Sequence, residues 1–156
     1  MPPALSVVET WLAQVKLDLA FTAGATYNYT IAEVNRDVKP PSAINKYPSV
    51  NMDFEGKDTD GEFSSQEYHT IGRLTLFTYV KKSREDTAMD TVMSALQRDL
   101  DIAMCGPTTN RHPASGSNTC VHTSPAGEDR FDVDGYDMLC LASRYQVMLD
   151  HTWSAP

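Results

Sequence analysis

Three cysteines and four histidines are the side chains here best suited to nucleophilic or metal chemistry, and four of the seven fall in one short stretch. Cys105, His112, Cys120 and His122 offer the two sulfurs and two imidazoles that zinc favours. Their intervals of six, seven and one residues match no known finger, however, and no Cys-x-x-Cys pair anchors them. The stretch therefore reads as an unliganded polar loop. Cys140 lies in an apolar segment, where a cysteine behaves as a small hydrophobe rather than a nucleophile. His69 and His151 stand alone in strand-like segments.

Carboxylates cluster in two places. Asp58, Asp60 and Glu62 surround Gly61, and Asp132, Asp134 and Asp137 surround Gly135. Both imitate a calcium loop but lack the third ligand before the glycine, the late bidentate Glu and the flanking helices. Asp-Gly is equally the chemistry of a hairpin turn. No phosphate-binding Gly-rich loop, Gly-x-Ser-x-Gly elbow or His-Glu-x-x-His helix occurs. The sequence thus predicts no catalytic residues, no metal site and no cofactor.

The chain's 156 residues suit a single domain spanning 1–156. Folding at that size buries about 69% of the unfolded surface, enough for a real core. Thirteen basic against 21 acidic residues leave a net charge of −8. Such a surface repels phosphate backbones and argues against nucleic-acid binding. Glu128, Asp129, Asp132, Asp134 and Asp137 face only Arg130, a solvated acidic stretch. Apolar runs are too short to cross a membrane. The first residues lack the basic and apolar regions of a signal peptide, so synthesis in a reducing cytoplasm is expected and the Asn28-Tyr29-Thr30 sequon is accidental.

The elements that would position these residues follow from periodicity. Leu5 to Phe21 predicts an amphipathic helix with Val8, Trp11, Leu12, Val15 and Leu19 on one face. Ser6 with Glu9 resembles a capping box. Tyr27 to Val34 predicts a strand, and Pro40 and Pro41 end any extension of it. Val50, Met52 and Phe54 alternate with Asn51, Asp53 and Glu55 in a half-buried strand that the segment Gly56 to Gly61 should turn away. Tyr68 to Val80 is a long strand apolar on both faces, Leu74 and Leu76 on one, Phe77 and Tyr79 on the other; a helix layer should cover the first and another subunit could cover the second. Ser83 to Met104 is the second helix, started at Ser83 and Asp86 and stopped by Gly106 and Pro107. Residues 106–130 predict a long loop insertion. Phe131 to Leu139 and Leu141 to His151 close the chain as strands around a turn at Asp134 and Gly135. Trp153 has no local partner and should either tuck into its own domain or insert into a neighbour. The order α-β-β-β-α-β-β predicts an α+β fold: an antiparallel or mixed sheet of about five strands with two helices packed on one face.

This arrangement resembles the tail-terminator (tail-completion) proteins of long-tailed bacteriophages. The opening helix and strand, the Pro-rich connection into Tyr47-Pro48-Ser-Val-Asn-Met-Asp, the long strand Arg73 to Val80, the second helix and the closing Tyr145 to Leu149 strand carry the likeness; the 106–130 loop departs from it. The resemblance implies a structural virion protein of the tail or neck without enzymatic activity. It would form a homohexameric ring on the head-proximal end of the tail tube, stop tube growth and present a surface to the head-tail connector protein. Genomic DNA would pass through the lumen without specific binding, and no membrane partner is implied. Phe77, Tyr79 and Trp153 are then candidates for a subunit or partner interface. Asp58, Asp60 and Glu62, facing the lumen, would repel phosphates. A head-completion or neck connector protein and a non-viral acidic adaptor module are the alternative readings.

Overall fold

The computed structural model describes residues 7–60, 67–82, 88–105 and 120–152. In chain order they form α1 (Val7–Leu19), β1 (Glu33–Asn35), a single 3-10 turn (Pro41–Ala43), β2 (Ser49–Asp60), β3 (Glu67–Lys81), α2 (Met89–Cys105), β4 (Cys120–Asp132) and β5 (Met138–Thr152). The five strands make one mixed sheet in the order β1-β2-β3-β5-β4. β1 runs parallel to β2, and the other neighbours are antiparallel. The fold is α+β with the predicted order of elements.

Helix periodicity decides which sheet face becomes the core. Trp11, Leu12, Val15 and Leu19 of α1 and Met93, Leu96, Leu100, Ala103 and Met104 of α2 are buried. They pack on Val50 and Met52 of β2, Leu74, Leu76 and Val80 of β3, and Leu141, Tyr145 and Val147 of β5. Gly72 of β3 leaves room for an aromatic ring: a Cβ there would lie 2.7 Å from the ring of Phe54, which also meets Trp11 edge-on at 6.3 Å.

Asp99 lies in the middle of α2 with no solvent exposure. Its carboxylate accepts hydrogen bonds from the backbone N–H of Asn28 (2.9 and 3.0 Å to the two oxygens), from Asn28 Nδ2 (3.0 Å) and from the backbone N–H of Tyr29 (2.9 Å). This is why the predicted strand over Tyr27 to Val34 shrinks to Glu33–Asn35. Backbone donors that a ladder would use at 28 and 29 are taken by the carboxylate, and Tyr27 stacks on Phe21 at 4.2 Å.

Two further readings are corrected. The segment from Gly56 does not turn the chain away. A bulge between Phe54 and Lys57, with Gly56 at φ +91°, absorbs one irregularity and β2 continues to Asp60. The second half of the 106–130 segment is not loop but β4, paired with β5 from Cys120 onward. Pro125 and Gly127 (φ +121°), which suggested a loop, are tolerated because β4 is an edge strand with a bulge between them. Ser6, Ser83, Asp86, Gly106, Pro107 and His112 lie outside the described residues.

Removing the Asp99 carboxylate leaves three donors, two on exposed Asn28 and one on half-buried Tyr29, without their acceptor inside the fold. Asp99→Ala is expected to destabilise the fold by about 3 kcal/mol, read as a lowered urea midpoint, with Asp99→Asn less costly. An unchanged midpoint would contradict this account.

Candidate functional site

The face of the sheet turned away from the helices is where the chain meets its surroundings. From the register it carries Asn51, Asp53 and Glu55 of β2, Arg73, Thr75, Phe77 and Tyr79 of β3, Cys140, Ala142, Arg144 and Gln146 of β5, and Asp129 and Phe131 of β4. One end of it is capped by the chain itself. Ile44 and Tyr47, delivered by the Pro-rich connection, pack with Phe77, Tyr79, Met138 and Cys140 into a second small core. Tyr47 Oη donates to the carbonyl of Ile44 at 3.2 Å, which fixes that cover.

Asn51 ties the cover to the sheet. Its Nδ2 donates to the carbonyls of Ser49 and Phe77 and to Ser49 Oγ, while its Oδ1 accepts from Asn35 Nδ2 and the Lys39 N–H. Glu33 accepts from Ser49 Oγ at 2.8 Å and meets Lys39 Nζ at 3.6 Å. Burial alone would raise the Glu33 carboxyl, but the hydrogen bonds from Ser49 and Asn35 and the Lys39 charge outweigh it and hold it below its ordinary value.

The rest of the face carries exposed charged and polar side chains around buried Thr75 and Ala142. Arg144 Nη1 lies 2.7 Å from Asp129. Glu55, Arg73, Thr75, Arg144 and Gln146 line a shallow depression of about 230 Å³. A second concavity lies at the sheet's edge. A cleft of about 630 Å³ is lined by Val8, Glu9 and Leu12 of α1, Arg36, Asp37 and Val38 after β1, Met52, Asp53 and Phe54 of β2, and Phe77 of β3. Met52 and Phe54 belong to the helix-covered face, Asp53 and Phe77 to the other; a hollow that collects both wraps the edge itself. No sequence motif announced it.

The predicted site residues separate into groups. Phe77 and Tyr79 come together, with Phe77 half-buried; Tyr79 is only 7% exposed, covered within its own chain. Asp58 and Asp60 sit on the distal part of β2 opposite Ile71 and His69, in strand rather than turn. That places them about 20 and about 26 Å from Phe77 along the sheet at roughly 3.3 Å per residue. Glu62 and Trp153 lie outside the described residues. Cys105 ends α2, whereas Cys120 and His122 begin β4. Among the described residues no three His, Cys, Asp or Glu side chains are grouped to hold a metal. Cys140 is fully buried, which pushes its thiol up to about 12, so it presents no thiolate nucleophile near neutrality.

Beneath the helices, Tyr145 Oη donates to Asp101 Oδ1 at 2.7 Å, and Gln97 Nε2 reaches both Asp101 (2.8 Å) and Tyr145 Oη (3.3 Å). Burial first, then the hydrogen bond to and charge of Asp101, raise the Tyr145 phenol above its ordinary value. Burial also raises Tyr79.

No known family model matches the chain, and no curated protein matches it in sequence. Among solved structures, a chain from the virion of a native gene transfer agent (GTA) particle has the same fold. The match has a TM-score of 0.60, covers 94% of this chain and 99% of that one, and has 13% sequence identity.

A phenol with a raised folded-state pKa contributes stability that is complete below the unfolded tyrosine value of about 10 and is lost as pH rises above it. The protein is therefore expected to lose stability progressively above about pH 10. Tyr145→Phe, which has no proton to release, should show a shallower loss. Urea midpoints measured across that range check this, and parallel curves for the two proteins would refute it.

Proposed function

We propose that the chain is a structural protein of a phage-like virion and that it caps the head-proximal end of the tail tube as a hexameric ring. The observation that carries this reading is the likeness in fold, over nearly the full length of both chains, to a component of the gene transfer agent virion. It agrees in kind with the resemblance of the element order to phage tail-terminator proteins. On this reading the protein has no catalytic task. It stops tube growth, joins the tail tube protein to the head-tail connector, and lets genomic DNA pass without gripping it.

The single chain supplies physical means for such a role. A ring needs heterologous contacts in which one patch meets a different patch of the next subunit. Phe77 keeps a partly open surface, Phe131 is 47% exposed and Tyr136 is 41% exposed. Trp153 would add a terminal anchor. Because Tyr79 is held by Ile44 and Tyr47, its part would be to brace Phe77 rather than to reach a neighbour. Asp58 and Asp60, with Glu62, would face the lumen, where net negative charge repels the duplex.

The test is native mass across concentration, followed by binding to isolated tail tubes and to portal assemblies. Six copies of 17.3 kDa predict a species of about 104 kDa, visible as rings by negative stain, that attaches to tube ends. Attachment to portal assemblies alone would replace this reading with a neck connector. A strict monomer that binds neither would favour an acidic adaptor and refute the virion reading.

A further inference from the structure

β1 closes only the first part of its neighbour's edge. Its ladder ends at Asn35 opposite Asn51, and Asn51 Oδ1 then captures the Lys39 N–H as the chain leaves the sheet. From Met52 to Phe54, β2 is paired with β3 on one side, and among the described residues no strand lies on the other. The 630 Å³ cleft opens along this stretch.

We propose that this edge binds an extended segment of another protein by strand addition, and that the segment alternates apolar with basic side chains. Three residues of free edge span about 10 Å, the length of a short added strand. Main-chain hydrogen bonds to such an edge supply affinity, and the flanking surfaces select alternate side chains. One set of side chains would fall toward Val8, Leu12 and Phe54, the other toward Phe77 and Asp53.

Charge selects the basic partner. Glu9, Asp37 and Asp53 rim the cleft, and the one cation lining it among the described residues, Arg36, is engaged with Glu9 at 3.1 Å. A second copy, carrying a net charge of −8, is a poor complement. No proline, lysine or bulge interrupts residues 52–54, and the bulge begins only after Phe54; the one charge on this stretch is the acidic Asp53. The inference goes beyond the ring reading and does not rest on it, because it uses only features of one chain.

The test uses the full chain and a fluorescein-labelled Val-Lys-Val-Lys-Val-Lys peptide, with two controls: the same peptide N-methylated on alternate amides, and a version with Glu for Lys. Anisotropy should report binding of the first peptide, and backbone amide NMR shifts should centre on residues 52–54. Binding should weaken about tenfold on N-methylation and by a similar factor in Asp53→Lys. Asp37→Lys, on an exposed loop across the cleft, gives the same reading should Asp53→Lys fold poorly. Equal binding of either control, shifts elsewhere on the protein, or no binding at millimolar peptide would overturn the proposal. So would self-association through these same amides, which would assign the edge to a second copy. The mass of the free protein decides the ring reading separately.

Discussion

A carboxylate with no solvent exposure in the middle of a helix is unfavourable unless several donors converge on it, and one whole side of this molecule follows from how Asp99 meets that condition. The donors come from Asn28 and Tyr29, so the connection after α1 is pinned to α2 before it reaches the sheet. The Ile31 N–H then bonds the carbonyl of Phe21, and the Ala32 N–H bonds that of Pro48. The chain therefore arrives beside β2 only at Glu33 and pairs for three residues before Asn51 Oδ1 captures the Lys39 N–H and draws it away. A short β1 is the consequence, and an incompletely closed β2 edge is the consequence of that.

The central strands show why one face could be left to other duties. β3 and β5 pair over residues 67–81 and 138–152 without a break in register. Their helix-side residues Leu74, Leu76, Leu141 and Val147 are fully buried. With that core in place, the opposite face needs only local cover, which Ile44 and Tyr47 give to Tyr79 and Cys140. Elsewhere it carries Arg73, Arg144, Asp129 and Glu55 in alternating sign, a surface that stays soluble yet offers paired charges to a partner.

Legibility in the sequence followed the strength of the periodic signal. Both helices and β3 lie close to where apolar spacing placed them, because a buried stripe or alternation leaves few other arrangements. Turn residues misled where an edge strand tolerates them. Gly56, Pro125 and Gly127 mark bulges, not reversals, and only the neighbouring strand's register distinguishes the two. Asp99 was invisible as a structural hub, since a single Asp in a helix looks like solvent-facing polarity until the loop 70 residues earlier is seen against it. The edge cleft was hidden for a related reason: it is defined by where β1 stops, and that is set by a tertiary contact rather than by local propensity.

The two edges of the sheet are handled differently, and the contrast is informative. β4 carries Pro125, a Gly127 bulge and the charged run Glu128, Asp129, Arg130 and Asp132, all exposed, which together discourage any further strand. Arg130 also reaches back across the layer, donating to Ser94 Oγ and to the carbonyl of Asp90 on α2, so this edge is held to its own helix. On the opposite side β2 has neither proline nor bulge between Asn51 and Phe54, with Met52 buried and Phe54 half-buried beneath the edge. An unpaired strand edge is an aggregation hazard that folded proteins usually blunt. Here one edge is blunted by three separate means and the other by acidic side chains alone. Carboxylates repel another copy of an acidic chain but attract a basic strand, so protection against self-pairing and selectivity for a partner would reside in the same residues, Asp37 and Asp53.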